Sequence, residues 1–432
     1  MRQCQRADAI GTGLHSRVIA LLRRRFLGAG EASPWDSLAP IRGDLFSVER
    51  IEDHARSLAA AQPVTPRPTR GRLLAGRLAN NAAVLLESHR TIVKATDAGC
   101  ATTPAAEWLI DNYHLVERQI HDILSDLPPH YYRQLPKLAD GPFAGYPRVL
   151  GVAWAFVAHT DSRFAPDMLC RYVRAYQDVQ PLTIGELWAL AITLKIVLIE
   201  NLRRLAEGIV RNRNARNAAD ALADRLLGAG GRIAEPVPTV LTDHEQAPLS
   251  DAFVVQMVYR LRDQDPRVTP ALTWLDERLV VQGTTTDAVV RDEHQRLGAT
   301  SVTVRNIITS MRLICDVDWT EQVERMSLVD DVLAAGGSFR DMDFPTRNLY
   351  RSAIEALARG SSQTEIAIAH SAVLATQGAD GRQGDVGYHL LAGGRRAFEA
   401  TIGYRPPWRA WPGRLNQTFG IGGYAGAIGL VT

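Results

Sequence analysis

The chain has 432 residues, 46% hydrophobic and 22% charged, with a formal net charge of +2. That length exceeds one ordinary core, and the composition is that of a folded chain, which excludes a largely disordered one. The near-zero net charge excludes a global field that would draw it to nucleic acid or anionic lipid.

The cations are nearly all arginine, the lysines being Lys94, Lys137 and Lys195; we read this as the bias of a GC-rich genome. Cys4, Cys100, Cys170 and Cys315 lie far apart with no CxxC pair, so neither a zinc site nor a redox motif is indicated. At the N-terminus the longest apolar stretch, Val18–Leu22, runs straight into Arg23, Arg24 and Arg25, which is no secretory signal. Residues 1–40 are expected to be a poorly ordered extension.

From there the dominant period is helical. Ser47 precedes a helix over Val48–Ala61, and the Pro-rich piece Pro63–Pro68 reads as a linker. In residues 104–127, Thr103 and Pro104 suit a helix start and Pro128-Pro129 a stop. Leu109, Tyr113, Val116, Ile120, Ile123 and Leu127 form its apolar seam. His114, Glu117 and His121 share the opposite face. Helix rise separates the two histidines by ~10 Å, too far for one zinc ion with bonds of ~2 Å, so they read as a polar stripe.

Thr183 and Glu186 form a capping box before Leu187–Val210. That helix is apolar nearly all round to Ile199, which places it in the core. Arg203-Arg204 and Arg211–Arg216 read as a solvated helix face, for want of a nucleic-acid motif. The glycine-rich stretch from Gly228 reads as a linker over 228–249, dividing lobe 1 (41–227) from lobe 2 (250–403). In the second lobe, helices are expected over Asp251–Arg262, Ala271–Val281, Ser301–Cys315, Trp319–Ala334, Pro345–Arg359 and Gln363–Thr376. Ser250, Asp318 with Glu321, and Ser362 with Glu365 supply their caps. Short connections favour antiparallel neighbours. Strand signals are scarce, so the fold class is all-α, built of antiparallel helix pairs.

Two acidic pairs offer a second metal-like pattern. Asp316 and Asp318 flank Val317, and Asp341 and Asp343 flank Met342. Many glycosyltransferases hold a divalent metal against a sugar nucleotide with D-x-D, because carboxylate oxygens suit a hard cation. Both pairs here stand at helix starts, where capping accounts for them. No phosphate loop and no G-x-S-x-G elbow occurs. Neither a catalytic residue nor a cofactor site is therefore assigned.

The last segment, 404–432, is read as an interfacial stretch followed by the start of a membrane helix. Arg405, Trp408, Arg409, Trp411 and Arg414 form a belt of arginine and indole, and Ile421–Thr432 carries no charge. Basic residues before an apolar run mark the cytoplasmic side of a membrane helix. A span needs ~20 apolar residues, so the sequence is expected to stop just inside one.

Several stretches resemble a known family. These are LFSVERIEDHARSLAAAQ (45–62), EWLIDNYHLVERQIHDI with DLPPHYYRQLPKL (107–138), and ENLRRLAEGIV (200–210). SVTVRNIITSMRLICDVDWTEQVERMSLVDDVL (301–333), MDFPTRNLYRSAIEALA (342–358) and RRAFEATIGYRPP (395–407) continue the series. Together they resemble the N-terminal region of bacterial cyclic β-1,2-glucan synthase. That resemblance implies a membrane glycosyltransferase that builds cyclic glucan from UDP-glucose with a divalent metal, Mg or Mn. In that family the transferase core, with its Q-x-x-R-W motif, follows the first membrane segment. This chain has no Q-x-x-R-W, so no catalytic residue is carried over. The implied role is a non-catalytic scaffold at the cytoplasmic face of the inner membrane. Its partners would be the rest of the synthase, the membrane through the C-terminal tail, and glucan. The competing reading is a stand-alone helical module regulating a synthase in trans.

Overall fold

The computed structural model describes residues 33–65, 74–126, 131–228, 236, 241, 248–262, 268–378 and 381–406. Among them lie sixteen α-helices and one pair of two-residue strands, so the fold is all-α. In chain order the helices are α1 (Val48–Ala61), α2 (Ala75–Asp97), α3 (Pro104–Asp126), α4 (Tyr131–Gln134), α5 (Arg148–His159), α6 (Pro166–Gln177) and α7 (Ile184–Leu227). Then follow α8 (Asp251–Leu261), α9 (Thr269–Val281), α10 (Thr286–Asp316), α11 (Trp319–Met326) and α12 (Leu328–Ala335). The last four are α13 (Phe344–Gly360), α14 (Glu365–Thr376), α15 (Val386–Leu390) and α16 (Arg395–Thr401).

Several elements depart from the expected boundaries. Helix α7 runs 44 residues, well past Val210. Ala219, Leu222, Ala223 and Leu226 continue a buried stripe at helical spacing, and no breaker occurs before Gly228, whose φ of 66° ends the helix. Helix α10 begins at Thr286 rather than Ser301, and the Thr285 hydroxyl accepts from the Ala288 N–H (3.3 Å). The expected helix Trp319–Ala334 breaks at Ser327. Its Oγ accepts from the Asp330 N–H at 3.1 Å, so one serine ends α11 and caps α12. Helix α14 is capped by Thr364, which accepts from Ala367, rather than by Ser362. The Pro63–Pro68 linker contains strand β1 (Val64–Thr65), paired antiparallel with β2 (Lys137–Leu138) in the register Val64 to Leu138.

The described residues group into two compact units, neither of them a contiguous stretch of chain. Unit 1 comprises residues up to Leu45, Gln62–Arg163 and Lys195–Met311; unit 2 comprises Phe46–Ala61, Phe164–Leu194 and residues from Arg312 onward. These groupings follow other boundaries than the lobes expected at 41–227 and 250–403. The chain crosses from one set to the other inside α7 and α10, where no composition shift could mark a boundary.

In unit 1 the seam of α3 is buried as its spacing predicts, at Leu109, Tyr113, Val116, Ile120 and Ile123, and α3 packs on α2. His114, Glu117 and His121 are exposed. A second apolar cluster joins Ala219–Leu226 of α7 to Phe253, Met257 and Leu261 of α8 and Leu275 and Leu279 of α9. In unit 2, α1 packs along α6. The core there gathers Ile184 at the start of α7, Leu333 of α12, Ile354 and Leu357 of α13, Ile368 and Ala372 of α14, Leu390 and Phe398. The extension expected over 1–40 is ordered at its described end. Pro34–Asp36 form a 3-10 turn, and Trp35 is buried edge-on against Tyr146 and Trp154.

Candidate functional site: two buried arginine–carboxylate networks

The chemistry-bearing residues of unit 1 converge on one carboxylate. Glu200 lies on α7 with no exposed surface. Arg203 and Arg204 stand three and four residues on, the spacing that puts helix side chains on one face. Arg204 Nε donates to Glu200 Oε1 at 2.8 Å and Arg203 Nη2 to the same oxygen at 2.9 Å. Arg77, from α2, binds in fork geometry, Nε to Oε2 at 3.0 Å and Nη2 to Oε1 at 2.9 Å. Arg203 also donates to Glu207 at 2.6 Å. Burial pushes the Glu200 carboxyl up, but the hydrogen bonds from Arg77 and Arg204, with the charges of Arg203 and Arg77, outweigh it and hold the group below its ordinary value. Burial pulls the Arg204 guanidinium down, against its pairing with Glu200.

The same guanidiniums reach the segment preceding α1. Arg204 donates to the carbonyls of Ala39 (2.9 Å) and Pro34 (2.5 Å), and Arg77 to that of Trp35 (3.3 Å). Arg77 lies over the Trp35 ring and Arg204 over that of Trp154, adding cation–π attraction to the ion pairs. Arg203 and Arg204, expected on a solvated face, are each only 3% exposed. Glu200 at helical spacing was the signal for their burial, since buried cations need a partner.

The neighbouring Asn201 serves a second polar knot. Its Oδ1 accepts from the Ile41 N–H at 2.7 Å, and its Nδ2 donates to Ser162 Oγ at 2.8 Å. Asp161 and Ser162 adopt left-handed backbone conformations, with φ of 49° and 62°, which cost energy for residues other than glycine and persist where surroundings enforce them. Helix α10 supplies the enforcement. Thr303 donates to Asp161 Oδ1 (2.6 Å), Asn306 to the Asp161 carbonyl (3.1 Å), and Ser310 to the Ser162 carbonyl (2.8 Å). Arg42 adds a bond to Asp161 at 3.2 Å and another to Thr303.

Unit 2 contains the counterpart. Arg351 of α13 is 1% exposed and grips Asp330 of α12 in fork geometry, Nε to Oδ1 at 3.0 Å and Nη2 to Oδ2 at 2.6 Å. Nη2 also donates to Glu324 of α11 at 2.7 Å, and Arg347 pairs with that carboxylate at 3.1 Å. Phe339 and Phe344 flank the guanidinium. Burial alone would pull Arg351 down; Asp330 and Glu324 outweigh it and hold it above its ordinary value.

The acidic pairs are separated in use. Asp318 caps α11, accepting from the N–H groups of Thr320 (2.8 Å) and Glu321 (3.4 Å). Asp343 caps α13 through the Thr346 N–H at 3.1 Å, and the Thr346 side chain first, then that N–H, hold its carboxyl low. Asp316 is the exposed last residue of α10, and Asp341 is exposed at the end of a 3-10 turn. Among the described residues no three His, Cys, Asp or Glu side chains come together as a metal would require.

A cavity of about 60 Å³ opens in unit 2 between Gly337, Phe339, Tyr350, Asp385 and Val386. The Tyr350 hydroxyl donates to Asp385 at 3.1 Å, and burial, then the Asp385 charge, push its pKa up to about 12. Pockets for drug-sized ligands run roughly 300–1,000 Å³, so this space suits water-sized guests. Of the expected membrane-interface residues, Arg405 donates its backbone N–H to the Gly360 carbonyl at 2.8 Å. Trp408, Arg409, Trp411 and Arg414 lie outside the described residues. Among the described residues no helix is long and apolar enough to cross a membrane.

Fold and networks define an all-α region whose buried charges brace one helix to another. No protein-family model matches the chain. It is 35% identical over 391 residues to the cyclic beta-(1,2)-glucan synthase NdvB of Rhizobium meliloti (strain 1021), a match covering 87% of this chain. The chain is related to that synthase and corresponds to an N-terminal region of it. It spans only 14% of the relative's length.

Proposed function

We propose that this chain is a non-catalytic helical scaffold within a cyclic β-1,2-glucan synthase, a membrane glycosyltransferase that uses UDP-glucose and a divalent metal. Its task is to brace the remainder of the polypeptide at the cytoplasmic face of the bacterial inner membrane. One observation carries the reading: charged side chains within the resemblance-bearing segments are spent on internal struts. Glu200, Arg203 and Arg204 of ENLRRLAEGIV bind one another and the segment before α1. Glu324 and Asp330 of the 301–333 stretch bind Arg351 of the 342–358 stretch. Asp318 and Asp343 cap helices. The partners on this reading are the transferase core and membrane helices of the same polypeptide, with Arg405, Trp408, Arg409, Trp411 and Arg414 at the bilayer interface. Growing glucan is a further candidate partner.

The test is incorporation of UDP-[14C]glucose, with Mn2+ or Mg2+, by the isolated chain and by a complete synthase. The isolated chain is expected to form no glucan. The complete enzyme carrying Glu200→Gln or Arg351→Met is expected to lose folded protein in the membrane in step with activity. Glucan formation by the chain alone would end the non-catalytic reading. Full synthase activity with this region deleted would end the scaffold reading.

A further inference from the structure

The start of α7 is held by two buried carboxylates. Glu186, with no exposed surface, folds back on the helix end, its Oε2 accepting from the Thr183 N–H (2.9 Å) and the Thr183 hydroxyl (3.1 Å). In return the Thr183 Oγ1 accepts from the Glu186 N–H at 3.2 Å. The next donor, the Ile184 N–H, is taken by a residue distant in sequence. Glu365, in the first turn of α14 and 8% exposed, accepts from it at 2.7 Å. Helix N-termini present unsatisfied N–H groups and a positive dipole end, so one carboxylate there is favourable. Two in one buried place repel each other, and each pays to leave water.

The surroundings do not neutralise the second charge. Besides Glu186, the groups acting on Glu365 are Glu355 and Arg359, both on α13. Arg359 is half-exposed and already pairs with Glu355 at 3.4 Å. The charges of Glu355 and Glu186 thus act on Glu365 against that of Arg359. A protonated carboxyl in this position keeps its acceptor oxygen for Ile184 and drops the buried charge.

We propose that Glu365 is a proton-controlled latch, fastening α14 to the start of α7 when protonated and loosening that attachment when ionised. Burial first, then the Glu355 and Glu186 charges, raise its pKa from 4.5 to about 7, against the lowering effect of the Ile184 N–H and Arg359. A group whose folded pKa is raised contributes stability that is complete below the unfolded pKa and is lost as pH rises through the folded one. The working window is thus about pH 4.5 to 7, ending in the physiological range. This latch does not depend on the scaffold reading, because it concerns the cohesion of unit 2 alone.

The test is hydrogen exchange of the Ile184 amide in the full chain, corrected for intrinsic exchange, at pH 5.5 and 8.5. With the two pKa values above, the opening constant is expected to rise roughly 30-fold between those pH values. In Glu365→Gln, which keeps an acceptor but cannot titrate, the rise is expected to vanish. A 13C titration of the Glu365 carboxyl in the unmodified chain gives an independent readout, with a midpoint near 7 expected. A midpoint near 4.5, an opening constant independent of pH, or an undiminished rise in Glu365→Gln would each overturn the proposal.

Discussion

Replacing Glu200 by glutamine tests the central brace with almost no change of shape. The carboxylate is fully buried and receives hydrogen bonds from Arg77, Arg203 and Arg204. Glutamine retains one acceptor oxygen and turns an NH2 group toward guanidinium donors. Two of those guanidiniums, Arg203 and Arg204, are themselves only 3% exposed. Removing one member of a buried ion pair costs about 3–5 kcal/mol, because the remaining charge stays buried without compensation. Arg203 keeps Glu207, and Arg204 keeps the Pro34 and Ala39 carbonyls, so the lower half of that range, about 3 kcal/mol, is expected for Glu200→Gln. Urea unfolding followed by tryptophan fluorescence is the suitable assay, since Trp35 and Trp154 lie beneath Arg77 and Arg204. Arg56→Gln is the control. It removes the exposed pairs of Arg56 with Asp53 and Asp178, which solvent screening leaves with little net effect on stability. The pH dependence adds a sign. Glu200 is held below its ordinary value, so its contribution is present above the unfolded pKa and is lost as pH falls through the folded one. Glu200→Gln should therefore narrow its deficit in acid. A loss no larger than that of Arg56→Gln, or a deficit that widens in acid, would refute the reasoning.

Asn201→Ala leaves the buried Ile41 N–H and the Ser162 hydroxyl without their partner. It should cost about 2–3 kcal/mol in urea unfolding, the penalty of two orphaned buried groups. Asp318→Ala should cost about 1 kcal/mol through loss of a helix cap, whereas Asp316→Ala should stay within about 0.5 kcal/mol. Calorimetry with Mn2+ and UDP-glucose should show no binding heat in the unmodified chain, and heat abolished by either substitution would refute the capping assignment. Gly360→Ala places a Cβ on the Tyr404 ring, at the point where Gly360 O receives the Arg405 N–H. Limited proteolysis should then cut near residues 404–406 faster than in the unmodified chain, and unchanged cleavage would show that the Tyr404 contact yields freely.

Periodicity alone located most helices, because an apolar seam or a cap needs neighbours only three or four residues away. The capping box of Thr183 and Glu186 is local in that sense and stands as read. So is the seam of α3 from Leu109 to Ile123. Boundaries failed where a local rule had two outcomes. Ser327 can lie inside a helix or cap a new one, and only the packing of Asp330 against Arg351 accompanies the second choice. Glu365 satisfied a capping pattern with Ser362 but was drawn instead to the Ile184 N–H, 181 residues away in sequence.

By itself, then, the amino-acid order determined that the chain is helical, where many of its helices lie though not Ala75–Asp97, Arg148–His159 or Pro166–Gln177, and the family its motifs resemble, since each of these depends on short-range spacing or on similarity of motifs. Tertiary structure decided which charges are buried, which chain segments group into each unit, and that Trp35 joins a core. Those outcomes depend on partners such as Arg77 and Glu200, or Asp161 and Thr303, more than 100 residues apart. Whether an arginine faces water or a buried carboxylate depends on what the rest of the chain places opposite it, and no local pattern carries that information.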